Sequence, residues 1–280
     1  MKEREARGKN GQIDLVYCTG DEGYEELLLS LLSVMRHTAR PLFVTVLTAC
    51  FDRVDGKGLG KEKAAYLGGL LQGRSDGSDL RLIDLTADLP DCFLSGRSTE
   101  GTRSPYPMLC LFLDLVAHEV ENLLYLDGET VAAGDVGRLF DMDLKGRSYG
   151  AARESIRGLL GQKDYLCGGT ILFHMPTAVK EGLFERAREV ARETELCFSL
   201  ASSLYFSDCK RRVLKRDFAE QEGLRKATVL RHYRKRRSVF PFLGGERENI
   251  REKRTLSKKE QRYFAGLYDQ FYLYRDGYLR

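Results

Sequence analysis

Residues Asn122 to Thr130 read NLLYLDGET, a short apolar run that meets an Asp, a Gly and a Glu. The run is too short for a helix and is closed by a turn signal, so it predicts a β-strand buried on both faces. At the end of such a strand, residues two apart point to the same side. Asp127 and Glu129 can therefore aim two carboxylates at one point, while Gly128 keeps the backbone between them uncrowded. Paired hard oxygen donors suit a divalent cation that shares its shell with phosphates. The same residues can equally form a plain turn, with Asp127 capping the next segment and Glu129 in water.

Working outward, further β-rich runs occur at IDLVYCT (13–19), LFVTVLTA (42–49), LRLIDL (80–85) and TILFHM (170–175). They alternate with helical patterns. In YEELLLSLLSVMRHT, Leu27, Leu28, Leu31, Val34 and Met35 recur at helical spacing, and SPYPMLCLFLDLVAHEV repeats the pattern before the strand at 122. This order predicts an α/β fold with a mostly parallel central sheet. Ligands of such sheets collect beyond the carboxyl ends of the strands, where CTGDEGY (18–24) and DGET (127–130) both fall. Residues 52–79 read as a connection around one short helix, without a core of its own. Their GKGLGK lacks the phosphate-loop pattern, having Asp55 and Glu62 where Gly and Ser or Thr are needed. The last ~30 residues, rich in Tyr and Phe among Arg and Lys, predict one or two closing helices.

The chain has 280 residues, 42% hydrophobic and 31% charged, enough for one large core. Its seven cysteines have no CxxC spacing, which predicts reduced thiols, a cytoplasmic setting and no zinc site. The opening MKEREARGKNGQ is charged and no run approaches ~18 apolar residues, so neither a signal peptide nor a spanning helix is expected. The net charge of +4 is unevenly placed, because residues 209–280 hold 21 Lys and Arg against nine Asp and Glu. That basic quarter, densest at LRHYRKRRSVF (230–240), suits a diphosphate or an anionic membrane surface touched peripherally; a solvated basic face is the plain alternative. No nucleic-acid motif accompanies the charge.

Five segments, in this order, resemble the family-8 retaining glycosyltransferases of the GT-A fold. IDLVYCTGDEGYEELLLSLLSVMRHT is similar to the family's uridine-binding strand, acidic loop and helix. LLYLDGETVAAGDVGRLFDMDLKGRSYGAARE is similar to its metal-binding strand and a later strand ending in an acid. DYLCGGTILFHM, TVLRHY followed by FPF, and YFAGLYDQFYLY resemble its later segments and final helix. The resemblance implies a GT-A-like domain over 13–245, after a charged tail at 1–12, with a helical segment at 246–280 packed on it. It implies transfer of a hexose from a UDP-sugar donor to a glycan, lipid-linked or protein acceptor, with retention of configuration and with Mn²⁺ or Mg²⁺. Asp127, Glu129 and His232 would be the metal ligands. Cys18, Thr19, Asp21 and Tyr24 would border the nucleoside, Gly168 and Gly169 would admit the sugar, Glu154 would hold it, and Lys235, with Arg236 and Arg237, would meet the phosphates.

The sequence departs from the family pattern at functional positions. Gly20 and Gly23 stand in the loop where the family has Asp and Tyr, Met108 where it has Arg, and Cys167 where it has Asn. Glu129 replaces an Asp, moving the carboxylate outward by ~1.5 Å. Ser199, Leu200 and Ala201 fall where it has Asp-Gln-Asp, and Phe240 replaces a Lys. No family nucleophile is evident, and Glu154 and Cys167 are the nearest candidates. Two readings follow: a divergent metal-dependent transferase, or an inactive GT-A scaffold that binds a nucleotide sugar weakly or a partner protein.

Overall fold

Each of the five apolar runs becomes a strand of one sheet. The computed structural model describes residues 11–51, 56–94, 104–117, 119–154, 165–193, 200–233 and 249–278. Its strands are β1 (Ile13–Cys18), β2 (Leu42–Thr48), β3 (Asp79–Asp84), β4 (Asn122–Leu126), β5 (Thr130–Ala132), β6 (Tyr149–Arg153), β7 (Leu166–His174), β8 (Arg211–Leu214) and β9 (Leu230–His232). Seven of them form the central sheet in the order β3-β2-β1-β4-β7-β6-β8, and β5 and β9 make a separate two-stranded ribbon. β3, β2, β1 and β4 run parallel, β7 is antiparallel to both of its neighbours, and β8 is parallel to β6. The sheet is thus mostly parallel, with β7 as its reversed strand.

Alternation of side chains across the pleat divides the core into two layers. Ile13, Leu15 and Tyr17 of β1, with Leu124 and Leu126 of β4, face one layer; Val16, Cys18, Leu123 and Tyr125 face the other. Both faces are covered, which is why the strands read as continuous apolar runs and not as alternating ones. The first layer contains α1 (Tyr24–His37), whose Leu27, Leu28, Leu31 and Val34 are buried. It also takes Ala64, Leu67 and Leu71 of α2 (Lys61–Gln72). The connection at 52–79 therefore contributes to the core after all. The pair Gly68–Gly69 masks the helical pattern, although Gly68 itself is buried on the face turned to β3.

The second layer holds α3 (Met175–Lys180), α4 (Leu183–Glu193) and α5 (Leu200–Tyr205). It also holds residues 104–117, where the helical spacing is realised differently: a 3₁₀ segment, Tyr106–Phe112, followed by one α-helical turn, Leu113–Val116. Pro105 and Pro107 explain the difference, because each removes an amide donor and restricts the residue before it. The closing residues form α6 (Lys258–Tyr263) and α7 (Ala265–Tyr278), and α7 packs on α1 through buried Leu267, Tyr268 and Phe271. Tyr66 of α2 donates to the Tyr274 carbonyl at 2.8 Å, joining α2 to the same helix. Among the described residues no helix is long and apolar enough to cross a membrane.

If α2 is a core helix, Leu67→Ala should cost about 2–5 kcal/mol in chemical denaturation, as for any fully buried leucine. A cost below about 0.5 kcal/mol, the range of surface substitutions, would return 61–72 to a surface connection.

Candidate functional site

The Asp-Gly-Glu turn stands at the carboxyl end of β4, beside the loop that leaves β1. Its backbone is locked from three sides: Asp127 N–H donates to the Gly169 carbonyl (3.0 Å), Thr130 N–H to the Asp127 carbonyl (2.9 Å), and Glu129 N–H to Asp127 Oδ1 (3.2 Å). Both carboxylates are half-buried. Gly128 packs closely on α1: a Cβ there would lie 3.2 Å from Cβ of Glu26 in the helix's first turn. Arg251 fixes that Glu26 side chain, its Nε 2.6 Å from Oε1.

His232 reaches the turn through the ribbon. β5 and β9 pair antiparallel with Thr130 opposite His232, and Tyr233 N–H donates to the Glu129 carbonyl at 2.9 Å. The His232 ring lies so close to Gly169 that any Cβ at 169 would overlap Nδ1. Gly169 is also the backbone partner of Asp127, so the imidazole rests on the residue that anchors the start of the turn. Cβ at Gly168 would meet Ala201 Cβ at 3.1 Å, so protein atoms occupy the space beside both glycines.

The loop after β1 shows the same substitution of one residue's bulk by another's. A side chain at Gly20 would overlap the Tyr106 hydroxyl, which donates to the Lys57 carbonyl at 2.9 Å. Burial, together with Cys50, Glu22 and Asp21 nearby, pushes the Tyr106 hydroxyl up to about 12, so it keeps its proton and remains a donor. A side chain at Gly23 would overlap Thr19 Oγ1. Asp21 pairs with Lys63 of α2 at 2.7 Å, and that ammonium lies 5.1 Å from the centre of the Tyr24 ring. Lys63 thus ties Asp21 to Tyr24, whereas Cys18 packs in the second core layer.

At the expected sugar end the surroundings are apolar. Met108 and Leu200 are buried in the second core layer, and Cys167 is fully buried. Glu154 is half-buried where β6 ends, its N–H donating to the Tyr165 carbonyl at 2.8 Å. Buried Tyr125, its hydroxyl pushed up by burial and then by the Asp127 carboxylate and Cys18, lies beneath the turn. Lys235, Arg236, Arg237, Ser199 and Phe240 lie outside the described residues.

The carboxylates and the imidazole do not by themselves make a closed ligand set: among the described residues no three His, Cys, Asp or Glu side chains are grouped to hold a metal ion. One oxygen of Asp127 is already turned onto the Glu129 amide. Four structural residues escaped the sequence reading: Tyr106, Glu26, Arg231 and Glu260. Only Glu260 carried a signal, the S-x-x-E capping box of Ser257–Glu260.

No protein-family model matches the chain, and no curated protein matches it. Solved structures do. The galactosyltransferase LgtC, in complex with donor and acceptor sugar analogues, superposes with a TM-score of 0.61 at 16% identity, over 79% of this chain and 87% of LgtC. The chain has a GT-A glycosyltransferase fold. The apo form of the glycosyltransferase GlyE of Streptococcus pneumoniae TIGR4 gives 0.62 at 14% identity, over 93% of this chain and 63% of GlyE. The bifunctional glycosyltransferase WbbM gives 0.60 at 15% identity, over 91% of this chain but 44% of WbbM.

Gly169→Ala should force His232 or β7 to shift and cost about 1–3 kcal/mol, read as a lowered thermal midpoint. A midpoint equal to wild type would mean that the ring does not rest on Gly169. A second expectation concerns acid. Burial alone would raise the Glu260 carboxyl, but hydrogen bonds from Ser257 and Arg231 outweigh it and hold the group below its ordinary 4.5. A depressed acid stabilises above its unfolded value and ceases to as pH falls through the folded one. The stability gap between wild type and Glu260→Gln should therefore be wide at pH 7 and narrow below pH 4.5. A gap constant between pH 7 and pH 3 would contradict this reading.

Proposed function

We propose that the chain transfers a hexose from a UDP-sugar to a hydroxyl of a glycan, lipid-linked or protein acceptor, with retention of configuration. One observation carries the reading. In a GT-A sheet, the Asp127–Gly128–Glu129 turn ends the strand next to β1, the loop 18–24 follows β1, and the β5–β9 ribbon sets His232 against Gly169, the residue whose carbonyl holds the Asp127 amide. The carboxyl end of the strands is where an α/β sheet binds ligands.

In this reading Cys18, Thr19, Asp21 and Tyr24 border the nucleoside, with the Lys63 ammonium, paired to Asp21, as a further cation beside it. Asp127, Glu129 and His232 face the diphosphate, and Lys235 approaches it from the basic quarter. Glu154 orients the transferred sugar. Cys167 is fully buried in the core and Glu154 is anchored at a strand end, so we assign retention to same-face attack. The acceptor oxygen bonds to the anomeric carbon while the bond to the diphosphate oxygen breaks. The electron pair leaves on UDP, and the hydroxyl proton passes to the departing phosphate. Mn²⁺, or Mg²⁺, belongs to the proposal as a species that the diphosphate brings with it. A cation held partly by phosphates needs few protein ligands, and no step is assigned to it. Peripheral contact with an anionic membrane through the basic quarter is part of the same proposal.

Thermal melting with UDP and Mn²⁺ together, against each alone, tests the reading. A native-state ligand at about 100 times its Kd adds about 2.7 kcal/mol, so the midpoint should rise only when both are present. Asp127→Asn should abolish that rise and any release of UDP from UDP-sugars. No shift at millimolar ligand would favour the inactive scaffold, and unchanged turnover in Asp127→Asn would remove the carboxylate from the site.

A further inference from the structure

β9 has three residues, and it carries His232. A ribbon this short has few ladder hydrogen bonds, and a slip of one residue would place Arg231 or Tyr233 opposite Thr130 and turn the imidazole to the other face. Something other than the ladder must fix the register. The strand is instead gripped by a buried ion pair: Arg231, 0% exposed, sets Nε 2.9 Å from Oε1 of Glu260, 1% exposed. The same guanidinium donates to the His232 carbonyl (2.8 Å) and to the Glu220 carbonyl (3.3 Å), and it covers the Tyr233 ring at 4.3 Å. Tyr233 donates its hydroxyl to the same Glu260 oxygen at 3.1 Å. Glu260 is also the capping residue of α6, its Oε2 accepting from Ser257 Oγ at 2.6 Å.

The C-terminal segment therefore touches the site at both ends of the ribbon. Tyr263 donates to the Ala133 carbonyl just beyond β5 (2.7 Å), and Arg251 holds Glu26 beneath Gly128. A buried ion pair adds little net stability over an apolar pair of the same size, and its best-attested use is to specify register. We infer that Arg231 and Glu260 are positioning residues: they pin β9 so that His232, and no other residue, stands at Gly169 beside Asp127. The inference rests on the transferase reading only for the purpose served by that placement.

The test is amide hydrogen exchange, by NMR on the full chain, at His232 and Tyr233, whose N–H groups donate to the Glu220 and Glu129 carbonyls. Glu260→Gln is the informative variant, because glutamine still completes the capping box while the charge facing Arg231 is lost. Exchange at both amides should accelerate by about tenfold or more beyond any acceleration at Val44 and Val46 of β2, whose exchange reads the loss of global stability, so the excess is a local opening. UDP affinity in the presence of Mn²⁺ should fall in step. Exchange equal to wild type at His232 and Tyr233 would overturn the inference, even where wild type binds UDP. Faster exchange in a protein that never binds UDP would support the positioning role and remove the transferase reading. Should Glu260→Gln not fold, the double variant R231M/E260M removes both charges together and carries the same readout.

Discussion

The site depends on one close approach, the imidazole of His232 against the bare α-carbon of Gly169. Gly169 also accepts the Asp127 amide with its carbonyl, so the ring rests on the residue that anchors the backbone of the turn. That contact is made by two segments a long way apart in sequence, β7 and β9. It rests on β9, which is stitched to β5 on one side, bridged to Glu220 on the other and gripped by the buried Arg231–Glu260 pair. Each device costs the chain freedom elsewhere: a glycine at 169, a glycine at 128 under Glu26, and a charge pair sealed from water. Small residues around the turn let α1, β7 and β9 approach it closely.

The same logic gives physical content to the departures from the family pattern. Gly20 and Gly23 are not vacancies, since the Tyr106 hydroxyl and Thr19 Oγ1 fill the places their side chains would take. Ala201 likewise closes on Gly168, and Leu200 and Met108 belong to the second core layer. The places that the resemblance assigns to other side chains are filled by atoms of this chain. A GT-A sheet tolerates this because its strands depend on apolar burial, whereas specificity depends on a few contacts at the strand ends.

Much of the fold was legible before any coordinates. Runs such as IDLVYC and NLLYL are buried on both faces, and nothing but a central strand accommodates that pattern. The helix at 24–37 announced itself by its spacing. Legibility failed where a few residues carry the structure. β5 and β9 have three residues each, too few to show a period. Pro105 and Pro107 converted a helical spacing into a 3₁₀ segment, and the glycines of α2 hid its buried face. At the site, the two carboxylates and their shared side of the turn could be read from spacing alone. Pairings over long separations could not: Arg231 with Glu260, or Tyr106 with the space above Gly20, leave no local trace.

On the reading proposed here, the turn, the loop after β1 and the imidazole face one diphosphate. A crystal structure of the chain grown with UDP and Mn²⁺ decides this. The pyrophosphate is expected between Asp127 and His232, with the uracil near Tyr24. Nucleotide bound elsewhere, with Asp127 still closed on the Glu129 amide and His232 unmoved on Gly169, would contradict it.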